Sequence, residues 1–207
     1  MRIGILGTGT LGTALGAVWV RAGHEVLIGG RSAEKATAAA LASGATAATP
    51  AEVVRGRDAV LVAVLWDGMR DVLALAGAAD GSLAGTPLID PSNAVEHGVG
   101  DLLTPPGRSA AEQIADWAPG AAVVKAFHLF PAAQWGSGAA AVTVPIAGDD
   151  EAALARTSEL VRDAGGLPAV LGPLRRARQL EEVAGFVIGL AFAGVDPNSA
   201  IPSTGSA

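Results

Sequence analysis

Two short stretches of this chain are built to hold an anion: Gly7-x-Gly9-x-x-Gly12 and, further on, Gly29-Gly30-Arg31-Ser32-x-x-Lys35. An apolar run, Ile3 to Leu6, leads into the first, and a second apolar run, Val26 to Ile28, leads into the next. In such a strand–turn–helix context the first glycine permits a tight turn. The second lets backbone approach a pyrophosphate, and the third lets the helix pack against the strand. Thr8 and Thr10 either add hydroxyl donors or serve only as small turn residues, and Leu11 completes the turn. Free amides at the helix start then face phosphate oxygens. No acidic residue ends the second apolar run, where one would hold a ribose 2′-hydroxyl. Arg31 offers a planar fork and Ser32 a hydroxyl, with Lys35 one helical turn on. That set favours a 2′-phosphate, and therefore NADP(H).

Further candidates close later apolar runs. Val64-Leu65-Trp66 either lines the cofactor's path or covers the end of the sheet. In Asp90-Pro91-Ser92-Asn93, Ser92 and Asn93 either hydrogen-bond a nicotinamide amide or form a plain turn. In Lys125-Ala126-Phe127-His128-Leu129-Phe130-Pro131, His128 either donates to a bound ring, acts as acid or base, or is a structural histidine. Lys125 either reaches the site or points to the edge. His24 and His97 sit in a pre-strand turn and a loop. Arg175, Arg176 and Arg178 follow Gly172-Pro173-Leu174 and offer cations to a second anionic ligand or to solvent, with Glu181 and Glu182 one turn on to neutralise them.

The elements that must position these residues alternate between strand and helix. Strands are expected at 2–7, 25–29, 58–64, 86–90, 121–126, 142–147 and 168–171, with a weak one near 45–48. Helices are expected at 11–22, 33–43, 50–55, 67–78, 109–117, 131–136, 150–164 and 174–193. Continuous apolar strands such as Ala59 to Val64 are buried on both faces and suit a parallel sheet. The expected fold is α/β, a Rossmann-type doubly wound, mostly parallel sheet with a small C-terminal α/β lobe. Residues 1–140 would form the NADP-binding domain, 141–193 the small lobe, and 194–207, rich in Pro, Ser and Gly, a flexible tail.

Composition narrows the chemistry. The chain's 207 residues contain no Cys, so thiolate metal sites, disulfides and a cysteine nucleophile are excluded. The absence of Tyr excludes tyrosine-based acid catalysis. Net charge is −6 with no Lys/Arg run, so no nucleic-acid partner is expected. Apolar stretches are interrupted well before the ~20 residues of a membrane span, so no membrane partner is expected. Met1-Arg2-Ile3 leads directly into a core strand, and the expected location is the cytoplasm. Val183 to Phe192 is apolar nearly all round. It is expected to be buried, with a homodimer packed through this helix or its lobe.

With these motifs in view, the chain resembles the NADPH-dependent coenzyme F420 reductases (F420H2:NADP oxidoreductases), and it is similar to related domains that pass hydride from NADPH to a flavin. The resemblance rests on Gly7 to Gly12, Gly29 to Lys35, Trp66, Ala126-Phe127-His128-Leu129-Phe130-Pro131-Ala132-Ala133, Val144 to Asp150, and Gly172-Pro173-Leu174 through Arg178 and Glu181. It implies that Thr8, Arg31 and Lys35 hold NADP. It also implies that coenzyme F420, a deazaflavin, is a second ligand and redox partner, stacked on the nicotinamide beside His128 and Pro131. The family's glycine turn can be one residue longer, and a Ser often precedes the phosphate-binding Arg where this chain has Gly30. Hydroxyacid dehydrogenases share the N-terminal pattern but continue into a large helical substrate domain, for which this chain has no room. A flat substrate held in a cleft is therefore expected. The alternatives are an NADPH-dependent reductase of a small imine or carbonyl metabolite, and a non-catalytic NADP-binding sensor.

Overall fold

The computed structural model describes residues 1–136, 138 and 140–202, so residues 203–207 of the expected flexible tail lie outside the described residues. The elements are β1 (Arg2–Leu6), α1 (Thr10–Arg21), β2 (Glu25–Gly29), α2 (Ala33–Ser43), β3 (Thr46–Ala47), α3 (Pro50–Val54), β4 (Ala59–Val62) and α4 (Met69–Leu75). They continue with β5 (Pro87–Asp90), α5 (Ala110–Trp117), β6 (Ala122–Lys125), β7 (Thr143–Gly148), α6 (Glu151–Asp163), β8 (Leu167–Gly172) and α7 (Ala177–Phe192).

One sheet of order β3-β2-β1-β4-β5-β6-β7-β8 joins all the strands. Every pairing is parallel except β6 with β7. The carboxyl ends of β1, β2, β4, β5 and β6 therefore share one edge, and the chain order reverses between β1 and β4. In open α/β sheets, ligands lie beyond this edge at such a reversal. The expected α/β doubly wound architecture is present.

Strand alternation explains the two-sided core. Ala59 and Leu61 pack with Leu15, Trp19, Ala39, Leu160 and Val161 of α1, α2 and α6. Val60 and Val62 pack on the other side with Val53, Met69, Val72, Ile114 and Leu180 of α3, α4, α5 and α7. A strand buried on both faces needs apolar residues at every position, as β4 has.

Several elements depart from expectation for local reasons. The helix expected at 131–136 is a single 3-10 turn, Ala132–Gln134, confined between Pro131 and Gly136. The helix expected at 67–78 starts with a 3-10 turn at Trp66–Gly68 and ends at Leu75, shortly before left-handed Gly77. The last helix likewise begins with a 3-10 turn, Leu174–Arg176. Burial of that helix is incomplete: Val183, Phe186 and Phe192 are 41%, 49% and 55% exposed. Its inner face is spent on Ala177, Leu180, Glu181, Ala184 and Gly185, which leaves Val187, Ile188 and Leu190 half-buried and Val183, Phe186 and Phe192 facing outward.

Candidate functional site

The turn after β1 is shaped by contacts no side chain would survive. Gly7 has φ +130°, and a Cβ there would lie 2.0 Å from the Ala63 carbonyl oxygen. Its amide donates to the Gly29 carbonyl at 2.7 Å, tying the turn to the end of β2. A Cβ on Gly9, by contrast, would meet nothing within 4 Å, so the backbone there borders open space. Helices α2, α3, α5 and α6 are N-capped by the side chains of Ser32, Thr49, Ser109 and Asp150. Helix α1 starts at Gly9 with no side-chain cap and no acidic residue in its first turn. The amides of Thr10, Leu11 and Gly12 have no intrahelical partner, and they form a cradle for a phosphate.

The cations stand next to this cradle. Thr8 lies against Gly30, with its Cγ2 3.4 Å from where a Gly30 Cβ would be. Arg31 lies over Gly68, and its Nη1 is 3.6 Å from Asp71 Oδ2, both side chains being well exposed. An exposed pair of this kind is worth at most about 1 kcal/mol, so the guanidinium is free to exchange its partner for a phosphate. Ser32 Oγ accepts from the Lys35 amide at 3.2 Å, which leaves its hydroxyl hydrogen to donate elsewhere. Lys35 is exposed on the first turn of α2.

At the end of β4, Val64 packs beside Gly7. Leu65 is 86% exposed. Trp66 turns toward α5 and lies 5.3 Å from Trp117, centroid to centroid, with Arg70 over Trp117 at 5.9 Å. Leu65, not Trp66, is thus the apolar residue most open at this strand end.

The ends of β5 and β6 are different in kind. Asp90 and Lys125 are register partners and both are fully buried, with Lys125 Nζ 2.9 Å from Asp90 Oδ2. Lys125 also donates to the Ser92 carbonyl and lies 2.9 Å from Glu181 of α7. Burial opposes its charge, while the carboxylates of Asp90 and Glu181 raise the pKa overall. Asn93 Nδ2 donates to the His128 carbonyl at 2.8 Å. Phe127, between Lys125 and His128, has φ +64° and packs edge-on against Trp19 and Trp135.

His128 is 5% exposed and neither ring nitrogen has a partner; Ser92 Oγ and Asn93 Oδ1 are likewise buried without one. Burial, reinforced by the Lys125 charge, pushes the His128 imidazole well below 6.5, so it is neutral near pH 7. Pro131 is exposed just beyond. His24 is engaged by Asp163 and the N-terminal amine, and His97 by Phe192. Among the described residues, no group of His, Asp and Glu is arranged to hold a metal ion, and no helix is long and apolar enough to cross a membrane.

The structure therefore brings Gly7 to Gly12, Arg31, Ser32, Lys35, Val64 and Leu65 to one end of the edge, and Ser92, Asn93 and His128 to the other. The ion cluster of Asp90, Lys125 and Glu181 goes beyond what the residues announced. Its one local sign is an Asp and a Lys each closing an apolar run, at positions that prove to be paired. Arg178 pairs with Glu182 at 2.8 Å, as the spacing suggested, while Glu181 turns inward to Lys125.

Comparison with known proteins fits this geometry. Residues 2–94 match the family described as NADP oxidoreductase, coenzyme F420-dependent. That match takes in fewer than half of the chain's 207 residues. A candidate F420-dependent NADP-reductase from Arthrobacter sp. FB24 superposes with a TM-score of 0.82 at 27% identity, covering 95% of this chain and 96% of that one. The rat metalloreductase STEAP3 is 33% identical over 184 residues. That match takes in 88% of this chain and only 36% of the metalloreductase. An imine reductase from Streptomyces aurantiacus shares the fold, with a TM-score of 0.71 at 22% identity over 94% of this chain and 64% of its own. The N-terminal part of the chain is thus similar to NADP oxidoreductases. Its residues suit that cofactor, with an uncapped helix start and exposed cations for phosphates, and the unpartnered Ser92 Oγ and Asn93 Oδ1 for a carboxamide.

Proposed function

We propose that this protein transfers a hydride between NADP(H) and a deazaflavin of the coenzyme F420 type, with a flavin as the nearest alternative acceptor. Gly7, Thr8, Gly9, Thr10, Leu11 and Gly12 bind the pyrophosphate. Arg31, Ser32 and Lys35 bind the 2′-phosphate. Val64 and Leu65 flank the ribose, with Trp66 behind them. Ser92 and Asn93 orient the nicotinamide carboxamide, and His128 with Pro131 borders the second ring.

The observation that carries the choice of acceptor is the absence of a ready acid among these ring-side residues. Reduction of a carbonyl or imine calls for a proton delivered at the substrate. Here His128 is neutral, while Asp90 and Lys125 are buried and spent on each other. Transfer between two stacked rings needs positioning far more than acid catalysis. The hydride carries its electron pair to the acceptor ring, and the proton taken up by that ring comes from solvent. The protein's part is to align the rings and keep water out. Anaerobic mixing with NADPH and coenzyme F420 tests the reading by loss of deazaflavin absorbance. Failure to reduce coenzyme F420, FMN or FAD, alongside turnover of an imine or ketone panel, would overturn it.

The reading includes a homodimer. Val183, Phe186 and Phe192 on α7 and Leu167 and Val170 on edge strand β8 leave apolar surface open on the single chain. A second copy covering it would bury what an isolated chain exposes. Sedimentation would show a species of twice the 20.4 kDa chain mass.

A further inference from the structure

The charges beneath the ring side are unusually complete. Each hydrogen of the Lys125 ammonium has an acceptor: Asp90 Oδ2, the Ser92 carbonyl and Glu181 Oε1. Asp90 Oδ1 accepts from the Ser92 amide at 2.8 Å. The Glu181 carboxylate accepts from the amides of Ala110 and Ala111 at 2.7 and 3.2 Å, at the start of α5. One ammonium thereby joins the ends of β5 and β6, helix α5 and helix α7, with no exposure of any of the three side chains.

Stability does not explain such a cluster, because apolar side chains of similar volume are commonly as stabilising as buried charges. Its distinctive effect is on geometry. Ser92 is held from both ends, its amide by Asp90 and its carbonyl by Lys125. The next residue, Asn93, holds the His128 carbonyl. Phe127 keeps a backbone conformation that L residues rarely adopt, clamped by Trp19 and Trp135, and so fixes the direction in which the chain leaves Lys125. Four of the buried side-chain atoms without partners, Ser92 Oγ, Asn93 Oδ1 and the two His128 nitrogens, sit on backbone that this arrangement anchors.

We infer that Lys125, balanced by Asp90 and Glu181, is a positioning residue for the redox site: it holds Ser92, Asn93 and His128 in register with the bound nicotinamide. The inference rests on the reading of this edge as the nicotinamide site. Lys125 touches neither ring. It acts through the Ser92 carbonyl and, by its charge, on the His128 imidazole.

The test replaces the whole cluster, Lys125→Met with Asp90→Asn and Glu181→Gln, since Lys125→Met alone leaves two buried carboxylates without a cation. The variant is expected to fold and to bind NADPH within about threefold of the parent, because the phosphate contacts lie elsewhere; kcat should fall about 100-fold, the scale of a misplaced reacting pair. Two readouts need no acceptor. The His128 imidazole, followed by nitrogen NMR, should titrate at higher pH once the neighbouring ammonium is gone. NADPH should shift the Asn93 side-chain amide resonance in the parent and leave it in place in the variant. A folded variant with parental kcat, parental His128 titration and a parental Asn93 shift would overturn the inference, as would a parent whose Asn93 resonance ignores NADPH. A parent that binds NADPH with the expected shift yet reduces no deazaflavin or flavin would overturn the hydride-transfer reading alone.

Discussion

The two ends of the ligand edge are made on opposite principles. At β1 and β2 the machinery is backbone and exposed charge: an uncapped helix start, a glycine beside open space, and an arginine in a loose surface pair. At β5 and β6 it is buried side chains, with three charges without solvent exposure and three residues carrying orphaned polar atoms. The first arrangement suits a ligand whose phosphates bring charge and water with them. The second suits an uncharged ring face that must be aligned in a dry place. The contrast teaches that affinity and alignment are separable here, and mutations should divide along it.

The sharpest break comes at Gly7. Gly7→Ala places a methyl 2.0 Å from the Ala63 carbonyl oxygen on a backbone with φ +130°, so the turn must move. NADPH affinity should fall at least about 100-fold, the loss expected when strain and phosphate contacts fail together. Isothermal titration checks this. Next in size, Arg31→Ala should weaken NADPH about 10- to 100-fold, the range of a charge-assisted pair, and NADH by less than about twofold. Equal losses for both cofactors would remove the 2′-phosphate assignment. At the other end, His128→Phe should leave NADPH affinity near the parental value and lower kcat about tenfold, through lost ring alignment.

His128 also sets a pH dependence of stability. Its native pKa is depressed below the ordinary 6.5, so above pH 6.5 native and unfolded chains are both neutral there and stability is full. As pH falls below 6.5, the unfolded chain takes a proton that the native one refuses. Stability then declines by up to about 1.4 kcal/mol per pH unit until the native imidazole itself titrates. Urea unfolding between pH 8 and pH 5 should show this decline in the parent, reduced in His128→Phe. The smallest effect is at Asp71. Asp71→Asn frees Arg31 from its competing carboxylate and should tighten NADPH about twofold, consistent with the weakness of exposed pairs.

The same contrast explains what was legible in the sequence. The phosphate end is local: Gly7, Gly9 and Gly12 and Arg31 to Lys35 lie within consecutive elements, so spacing alone announces them. Alternating apolar runs likewise announced the parallel sheet and its two-sided core, because β4 must be apolar throughout when both faces are covered. The ring end depends on contacts between residues far apart in the chain. Lys125 reaches Asp90 and Ser92 from another strand, and Glu181 arrives from the last helix. Nothing in the spacing of charges says that Glu181 turns inward while Glu182 stays with Arg178. The apolar last helix was legible as apolar and misleading as to burial, because hydropathy does not say which partner covers a face.

The central claim is direct hydride transfer between two rings held at this edge. Its most direct measurement uses NADPH deuterated at nicotinamide C4, mixed with coenzyme F420 and the protein under anaerobic conditions, with mass analysis of the reduced deazaflavin. The account predicts one deuterium on the deazaflavin ring carbon, derived from the cofactor, with none from deuterated water when the labels are exchanged. Label from solvent at that carbon, or NADPH consumed with the deazaflavin unchanged, would contradict it.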